Sequence, residues 1–181
     1  MHCQPTRLPG VLLLTPEVYR DARGEFAEVF NAERFAACTG VAATFIQENQ
    51  SRSAPGVLRG LHYQLAPAQG KLVRVAAGAV FDVAVDLRRH SPHFGQWTGA
   101  VLSADNACQQ WIPPGFAHGF LVLGEAPAVV CYRVTAPYAP ASERSLRFDD
   151  PALGIAWPAT PRLLSARDRA ALPLARAEVY P

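Results

Sequence analysis

Glycine and proline recur along the whole sequence and divide it into short apolar runs. The 181 residues include 13 glycines and 16 prolines, which are spread throughout rather than gathered in one linker. Between these breaks, apolar side chains dominate or alternate with polar ones. Such runs are typical of short β-strands, and many of them in series indicate a sandwich or barrel. The sequence therefore predicts an all-β fold.

Seven segments have the composition of strands. The segment at 80–87 shows the pattern well, because Phe81, Val83 and Val85 alternate with more polar or smaller side chains such as Asp82. An alternation with a period of two places the apolar side chains on one face of a strand. The predicted strands cover residues 57–64, 72–76, 80–87, 97–102, 109–112, 120–123 and 128–135.

Helical and turn signals are few. Residues 31–38 predict two helical turns, with Asn31 as the N-cap and Gly40 just after the end. A second short helix is predicted at 165–172, where a serine supplies the capping side chain. The Gly-Glu-Ala-Pro sequence at 124–127 predicts a hairpin turn between the last two predicted strands.

Chain length, charge and cysteine usage narrow the class of protein. No repeat or change in composition marks a boundary, so one domain is predicted over residues 1–181. The net charge is only +2, which disfavours a nucleic-acid partner. No apolar segment approaches the ~20 residues that span a bilayer, and no signal-peptide pattern is visible. The four cysteines lack CxxC spacing, so we expect them to be reduced, buried thiols. Together these features predict a cytoplasmic protein without a membrane partner.

Lysine is almost absent from the basic residues. Lys71 is the only lysine among the 17 basic side chains, in a chain with 31 alanines. A composition biased towards alanine and arginine replaces solvated lysines easily, whereas a position that needs a compact ammonium resists arginine. Lys71 is either a chance survivor of that bias or a functional group, and its rarity alone does not decide between the two.

Two histidines lie in glycine-rich apolar segments, His62 in Leu-Arg-Gly-Leu-His-Tyr-Gln and His118 in Pro-Pro-Gly-Phe-Ala-His-Gly-Phe. A single histidine of this kind is most simply a core residue with a satisfied hydrogen bond. Metal-binding barrels of the cupin type use two histidines two positions apart with a carboxylate soon after. Here Gln64 takes the second position, and no carboxylate follows before Asp82. We therefore predict a site without a metal.

The remaining polar candidates suit proton chemistry beside a carbonyl group. A neutral imidazole such as that of His62 can remove a proton near neutral pH. An ammonium such as that of Lys71 can stabilise an oxygen that gains negative charge. The phenol of Tyr132 can return a proton from another direction, although a buried strand aromatic is the simpler explanation of that residue.

Seven segments, in chain order, resemble the dTDP-4-dehydrorhamnose 3,5-epimerase family over roughly residues 11–175. They are Asp-Ala-Arg-Gly-Glu-Phe at 21–26, Gln-Glu-Asn-Gln-Ser-Arg-Ser at 47–53, Gly-Val-Leu-Arg-Gly-Leu-His-Tyr-Gln at 56–64, Lys-Leu-Val-Arg-Val at 71–75, Val-Phe-Asp-Val-Ala-Val-Asp-Leu-Arg at 80–88, Trp-Ile-Pro-Pro-Gly-Phe-Ala-His-Gly-Phe at 111–120, and Asp-Asp-Pro-Ala-Leu-Gly-Ile-Ala-Trp-Pro at 149–158. The resemblance implies a cupin-like jelly roll, a double-stranded β-helix with a few short peripheral helices. It also implies an enzyme that uses neither a metal nor a cofactor.

The same resemblance implies epimerisation at C3 and C5 of dTDP-4-dehydro-6-deoxy-D-glucose, which gives dTDP-4-dehydro-L-rhamnose. His62 would remove the protons beside the C4 ketone, and Asp168, in a Ser-x-x-Asp segment, would orient its imidazole. Lys71 would hold the enolate oxygen, and Tyr132 would return a proton on the opposite face of the sugar.

Nine further residues are implied to surround the substrate. The residues for the nucleotide diphosphate and base are Arg23, Glu28, Gln47, Asn49 and Arg59. The aromatic residues that pack against the thymine or close the site are Phe26 and Tyr138, and the residues that shape the wall near the sugar are His118 and Asp82. The segment with Arg23 is implied to cross into a neighbouring subunit, which gives a homodimer with shared sites.

Two positions depart from the family pattern, and three other functions remain open. Pro137 replaces a frequent tyrosine and Phe148 a frequent tryptophan, and both changes are expected near the substrate entrance. The first alternative is a mono-epimerase, acting at C3 or C5 only on a related dTDP-4-keto-6-deoxysugar of secondary metabolism. The others are a metal-dependent cupin enzyme and a sugar-nucleotide binding module without turnover.

Overall fold

The computed structural model describes residues 1–181, and most of its regular structure is β. In chain order the strands are β1 (His2–Pro5), β2 (Leu12–Thr15), β3 (Val18–Asp21), β4 (Gly24–Ala27), β5 (Gln47–Ser53), β6 (Leu58–Gln64), β7 (Lys71–Ala77), β8 (Ala79–Asp86), β9 (Trp97–Ser103), β10 (Gln109–Ile112), β11 (Phe116–Leu123), β12 (Ala128–Val134) and β13 (Glu143–Ser145). The helices are α1 (Ala32–Thr39), α2 (Ala166–Arg169) and two 3₁₀ turns at Pro140–Ser142 and Leu174–Arg176.

The strands form two large antiparallel sheets and one small one. The six-stranded sheet has the order β1-β2-β10-β7-β12-β5, and the five-stranded sheet has the order β13-β6-β11-β8-β9. From β5 onwards the chain changes sheet at nearly every connection, which is the connectivity of a jelly roll. Strands β3 and β4 pair only with each other, as a separate hairpin. The predicted all-β fold is confirmed.

Three apolar clusters hold these layers together. The largest lies between the sheets and joins residues such as Val73 and Val130 of the six-stranded sheet to Val80 and Phe120 of the five-stranded sheet. A second covers the outer face of the five-stranded sheet, where the C-terminal segment packs through residues that include Tyr180. The third lies beneath α1 and contains Leu14, Phe35, Leu72 and Trp111. The C-terminal segment is therefore held against the five-stranded sheet.

All seven predicted strands are present, and most of their bounds agree within one residue. The strand predicted at 120–123 begins earlier, at Phe116, because the Ala-His-Gly sequence before it continues the ladder with β8. Six strands were not predicted, namely β1 to β5 and β13. They are short or, like β5, free of apolar side chains, so the apolar pattern does not reveal them.

The predicted hairpin turn at 124–127 is wrong. Strand β11 pairs with β6 and β8, whereas β12 pairs with β5 and β7, so the turn carries the chain from one sheet to the other. Two consecutive strands with a short turn resemble a hairpin in sequence whether they pair side by side or face each other across a core. Only the packing of the other strands distinguishes these cases.

The first predicted helix is confirmed and the second is shorter than predicted. In α1 the Asn31 side chain accepts a hydrogen bond from the Arg34 amide, and Gly40 ends the helix at φ 72°. Helix α2 ends at Arg169 and not at 172. Pro173 lies close behind it and cannot continue a helical hydrogen-bond ladder.

The remaining predictions concern the cysteines and membrane-spanning segments. All four cysteines are free, but only Cys131 is buried and the other three are half-buried, so the prediction that all are buried is wrong. Cys3 and Cys108 lie at the margins of two apolar clusters, where packing covers one side of the thiol only. No helix of the structure is both long enough and apolar enough to cross a membrane.

A bulge in β6 at Gly60 decides which side chains face the space between the sheets. Against β11, Arg59 pairs with Phe120 and His62 pairs with His118, so three steps along β6 match two along β11. Side chains three positions apart on a regular strand point to opposite faces. The bulge therefore lets Arg59 and His62 face the same side. Gly60 has φ 128°, and a Cβ there would lie 2.5 Å from the Gly119 Cα.

Replacement of Gly60 by alanine is expected to destabilise the fold strongly. The variant adds backbone strain at positive φ and a clash with β11, which together cost about 3 kcal/mol or more. The matched control is Gly124→Ala, since Gly124 also has positive φ but a Cβ there would meet no atom within 4 Å, and it is expected to cost about 1 kcal/mol. Urea unfolding measures both values, and equal losses would contradict the close-approach argument.

Candidate active site

One end of the space between the sheets is lined by polar side chains instead of core residues. Along β5 the residues Gln47, Asn49 and Ser51 are half-buried, whereas the alternate residues Glu48 and Gln50 are exposed. The half-buried set faces inward, because Asn49 pairs with Tyr132 on β12, which in turn pairs with the core residue Val73. A strand without apolar side chains can occupy this position because its inner face borders a cleft and not the core.

His62 and Asp168 form a hydrogen-bonded pair in this cleft. The His62 Nε2 atom lies 2.6 Å from Asp168 Oδ1, although the residues are 106 positions apart in the chain. The Asp168 side chain is 3% exposed and that of His62 is 30% exposed. The carboxylate is therefore hidden behind an imidazole that reaches the cleft. An open cavity of about 420 Å³ borders this pair, with walls that include Ser53, Arg59 and Leu163.

The position of Asp168 follows from the start of helix α2. Ser165 caps the helix, and its hydroxyl accepts a hydrogen bond from the Asp168 amide at 3.0 Å. Burial acts to raise the pKa of the Asp168 carboxyl, but the hydrogen bond and charge of His62 outweigh it and hold the pKa below its usual value. The carboxylate thus stays ionised and can keep the imidazole in one orientation.

Lys71 lies near the backbone of His62, on the opposite sheet. Its Nζ atom is 3.5 Å from the His62 carbonyl oxygen, and the residue is 8% exposed. Burial lowers the pKa of the Lys71 ammonium to about 8, while the negative charges of Glu143 and Asp82 act to raise it. No ion pair within 4 Å engages this ammonium. A buried cation without a close partner is available for a negatively charged ligand.

Tyr132 and Arg59 enter the cleft from the two facing sheets. Burial raises the pKa of the Tyr132 phenol, while the positive charge of Arg59 acts in the opposite direction. The phenol therefore stays protonated at neutral pH and can act as a donor. The guanidinium of Arg59 is anchored by a 2.9 Å hydrogen bond from Nε to the Ser53 hydroxyl, which leaves its terminal nitrogens free for other acceptors.

A second histidine–carboxylate pair lies beside the first. His118 is the cross-strand neighbour of His62, and its Nε2 atom is 2.7 Å from Asp82 Oδ2. The Asp82 side chain is wholly buried and that of His118 is 8% exposed. The predicted wall residues are thus brought next to His62, but they are much less accessible than it is.

Sequence reasoning did not identify two further charged residues at the rim of the cleft. Glu143 Oε2 accepts a hydrogen bond from the Tyr138 hydroxyl at 2.7 Å and is also ion-paired with Arg167. Burial acts to raise the pKa of the Glu143 carboxyl, but the hydrogen bonds from Tyr138 and Arg167 hold it below the usual value. No motif marks these positions. Arg167 precedes Asp168 in the chain, and that adjacency was the one available signal.

Apart from Arg59, the residues predicted to surround the nucleotide divide into two groups. Gln47 and Asn49 lie on the inner face of β5 and are joined by a 2.7 Å hydrogen bond from Gln47 Nε2 to Asn49 Oδ1. The second group belongs to the N-terminal hairpin and the residues just after it. Arg23 is paired with Asp21 of the same hairpin, and Phe26 is 69% exposed. Glu28 follows the hairpin, and its Oε1 atom lies 3.4 Å from Nη1 of Arg34 in α1.

The two departures from the family pattern have different surroundings. Pro137 adjoins Tyr138 near the rim of the cleft, and its carbonyl accepts a hydrogen bond from Gln64. Phe148 packs against Trp157, which in turn packs against the apolar cluster on the outer face of the five-stranded sheet. The expectation that Phe148 lies near the substrate entrance is therefore wrong, because the chain turns to the outer face before that residue. No group of three or more His, Cys, Asp or Glu side chains is arranged to hold a metal ion.

Comparison with known proteins identifies the family. The family model described as dTDP-4-dehydrorhamnose 3,5-epimerase matches residues 5–176. The chain belongs to this family. A relative of that name from Pseudomonas aeruginosa is 53% identical over 175 residues, which are 96% of each chain. A relative named dTDP-4-dehydrorhamnose 3-epimerase, from Streptomyces niveus, is 40% identical over 98% of this chain and 86% of its own.

A solved structure supports the same assignment. The 3,5-epimerase of Legionella pneumophila, crystallised in complex with dTDP-4-keto-L-rhamnose, superimposes with a TM-score of 0.94 and 48% identity. The match covers 98% of this chain and 94% of that one. The predicted cupin-like jelly roll and the predicted family are both confirmed.

The buried position of Lys71 predicts an unusual titration that can be observed directly. Because the chain has one lysine, labelling with lysine that carries ¹³C at Cε gives a single side-chain NMR signal. We expect this signal to titrate near pH 8 in the folded protein, and near the usual ~10.4 after unfolding in urea. A folded-state signal that does not move until pH 10 would contradict the assignment of a buried, unpaired ammonium.

Proposed function

We propose that this member of the epimerase family inverts C3 and C5 of dTDP-4-dehydro-6-deoxy-D-glucose to give dTDP-4-dehydro-L-rhamnose. The observation that carries the proposal is the His62–Asp168 pair, 2.6 Å apart, in a cleft that also receives Lys71 and Tyr132. These groups supply a base, an orienting carboxylate, a cation and a proton donor. The 53% identity with the Pseudomonas relative, over nearly the whole chain, supports the same substrate.

In the proposed mechanism His62 removes a proton from the carbon beside the C4 ketone. Its Nε2 atom is held by Asp168, so Nδ1 is the atom that accepts the proton. The electron pair of the broken C–H bond moves to the ketone oxygen, and the Lys71 ammonium stabilises the resulting enolate. Asp168 stabilises the charged imidazolium, as the orienting carboxylate beside a catalytic base does.

Tyr132 returns a proton to the same carbon from the opposite face. It lies on the six-stranded sheet, whereas His62 lies on the five-stranded sheet, so the two groups approach a bound sugar from different sides. The C3 and C5 protons flank one ketone, and therefore one base and one enolate site can serve both carbons. The sum of the steps is an isomerisation without redox change, so the proposed reaction needs neither a metal nor a cofactor.

The nucleotide portion of the substrate is proposed to bind along β5 and the rim. The free nitrogens of Arg59 suit bidentate hydrogen bonds to the diphosphate, and Gln47 and Asn49 offer amide groups nearby. Tyr138 supplies an aromatic surface at the rim for the thymine, since it is 53% exposed. His118 and Asp82 are proposed to shape the wall beside the sugar.

We further propose a homodimer in which the N-terminal hairpin completes the neighbouring site. The hairpin of β3 and β4 pairs with no other strand, and it exposes two large aromatic side chains, Tyr19 and Phe26. A two-stranded hairpin is marginally stable in water, so it needs a surface to pack against. A second copy of the chain would cover these rings and bring Arg23, Phe26 and Glu28 to a cleft.

Mixing of inactive variants tests the shared site. His62→Ala lacks the base, and the double variant Arg23→Ala/Phe26→Ala lacks the proposed hairpin contacts, so each dimer alone should be inactive at low substrate concentration. A mixed dimer has one site with an intact base and an intact hairpin. Random exchange should therefore restore about a quarter of the wild-type activity. No recovery, in mixtures shown by mass spectrometry to contain mixed dimers, would mean that the hairpin serves its own chain.

A mono-epimerase acting at one carbon is the second candidate. The 40% identity with the 3-epimerase from Streptomyces niveus favours it, because the same family contains both activities. Proton NMR of the proposed substrate in deuterated water separates the two. We expect the signals of both the C3 and C5 protons to disappear, whereas loss of one signal would establish mono-epimerisation and loss of neither would reject this substrate.

Two variants in the same NMR experiment assign the proton-transfer roles. His62→Ala should reduce exchange at both carbons by about 10³-fold, because it removes the general base. Tyr132→Phe should retain exchange but impair inversion, so deuterium enters with the original configuration. Circular dichroism confirms that each variant is folded. Substantial exchange in His62→Ala, or complete loss of exchange in Tyr132→Phe, would contradict the assigned roles.

For the location of the protein we propose the cytoplasm. All four cysteines are free thiols, which is typical of a reducing compartment. Fractionation of cells that express the tagged chain tests this location, and recovery from a membrane or extracellular fraction would contradict it.

A further inference from the structure

We propose that Gln64 is a positioning residue that fixes Tyr138 at the rim of the cleft. The inference rests on the proposed function, in which Tyr138 contacts the nucleotide base. Gln64 is the last residue of β6, two positions after His62, and only 3% of it is exposed. A buried amide needs hydrogen-bond partners for both its nitrogen and its oxygen, and these partners show what it does.

The Gln64 amide is fully engaged, and most of its partners lie in the segment that contains Tyr138. Its Nε2 atom donates to the Pro137 carbonyl at 3.0 Å and to the Pro67 carbonyl at 2.6 Å. Its Oε1 atom accepts a hydrogen bond from the Ala139 amide at 2.8 Å. One side chain thus satisfies a carbonyl and an amide of the segment at 135–142, which joins β12 to β13.

The two bonded groups stand on either side of Tyr138. The carbonyl of the preceding residue and the amide of the following residue are the groups that a residue on a neighbouring strand pairs with in a β-ladder. No strand lies beside Tyr138, so the Gln64 side chain replaces that strand. This contact holds the backbone on both sides of Tyr138 without covering its side chain, which is 53% exposed.

Gln64 is itself held firmly, so it can act as an anchor. Its carbonyl accepts a 2.8 Å hydrogen bond from the buried Tyr180 hydroxyl, and its backbone pairs with Glu143 of β13. The other contacts of Tyr138 are a 3.3 Å bond from its amide to Gln47 Oε1 and the bond from its phenol to Glu143. Gln47 lies in the cleft and Glu143 at its rim, where the proposed substrate would compete for them. The Gln64 contacts lie outside that competition.

The proposal accounts for the type of side chain at this position. Glutamine has a donor and an acceptor at the end of a side chain of the required length. Methionine has a similar length but no donor, and asparagine has both groups but a shorter reach. The sequence pattern of a metal cupin would place a histidine here, and the two ring nitrogens of a histidine point away from each other, unlike the oxygen and the adjacent N–H of an amide.

Calorimetric titration with dTDP tests the proposal in four proteins: wild type, Gln64→Met, Tyr138→Ala and the double variant. We expect Gln64→Met to bind dTDP about tenfold more weakly, since Tyr138 loses its position. If Gln64 acts through Tyr138, the double variant should bind no more weakly than Tyr138→Ala alone. With the sugar nucleotide, KM should rise about tenfold in Gln64→Met while kcat changes by less than about threefold.

The matched control is Gln69→Met. Gln69 is another glutamine of the same region, and its Nε2 atom donates to the carbonyls of Ala136 and Pro137 at 2.8 and 3.2 Å. Gln69 therefore contacts the chain only before Tyr138, whereas the Ala139 amide after it is bonded to Gln64. We expect a change in dTDP affinity of less than about threefold. If Gln64→Met does not fold, as judged by circular dichroism, Gln64→Asn takes its place with the same expectation.

The outcomes separate this inference from the proposed function. A wild-type protein that does not bind dTDP would contradict the proposed function, and the inference with it. A wild-type protein that binds dTDP, together with a Gln64 variant of equal affinity, would contradict the inference alone. Additive losses in the double variant would also contradict it, because Gln64 would then act independently of Tyr138.

Discussion

The close approach of β6 and β11 at Gly60 and Gly119 determines the geometry of the whole cleft. A Cβ at Gly119 would lie 2.8 Å from the Arg59 carbonyl oxygen, so neither glycine can be replaced without moving a strand. The bulge that this contact permits turns Arg59 and His62 to one face. A regular strand would direct one of them into the outer apolar cluster. The proposed base and the arginine proposed to bind the diphosphate therefore share a cleft because two backbones touch.

The cleft also costs the fold part of its stability. The inner faces of a jelly roll are the natural place for apolar side chains, and one end of this one holds Lys71, His118 and Asp82 instead. Burial of the ammonium disfavours its charged form, which is why the pKa of Lys71 falls to about 8. The nearby carboxylates of Glu143 and Asp82 offset only part of this effect, without forming an ion pair. In the proposed mechanism, a negatively charged enolate is the partner that completes the charge balance.

The sequence predicts the central strands well because their apolar side chains alternate, as in β8, and it predicts α1 because Asn31 and Gly40 mark its ends. Local patterns do not reveal β5, whose inner face is polar because it borders a cleft. They also do not reveal that β11 and β12 belong to different sheets. The rarity of lysine in the composition is enough to single out Lys71 as a candidate. The link between His62 and Asp168 came only from the resemblance to the family, since 106 residues separate them.

The two histidine–carboxylate pairs show why similar local chemistry can support different roles. In both pairs a carboxylate oxygen holds Nε2, at 2.6 Å for His62 and 2.7 Å for His118. The His62 side chain is 30% exposed and that of His118 only 8%, so the first imidazole is the more accessible of the two from the cleft. The carboxylates also differ in origin. Asp168 comes from a peripheral helix that closes over β6, whereas Asp82 belongs to the neighbouring strand β8 within the sheet. The proposed base thus lies at the margin of the jelly roll, while the residues proposed as the wall beside it are built into the sheet.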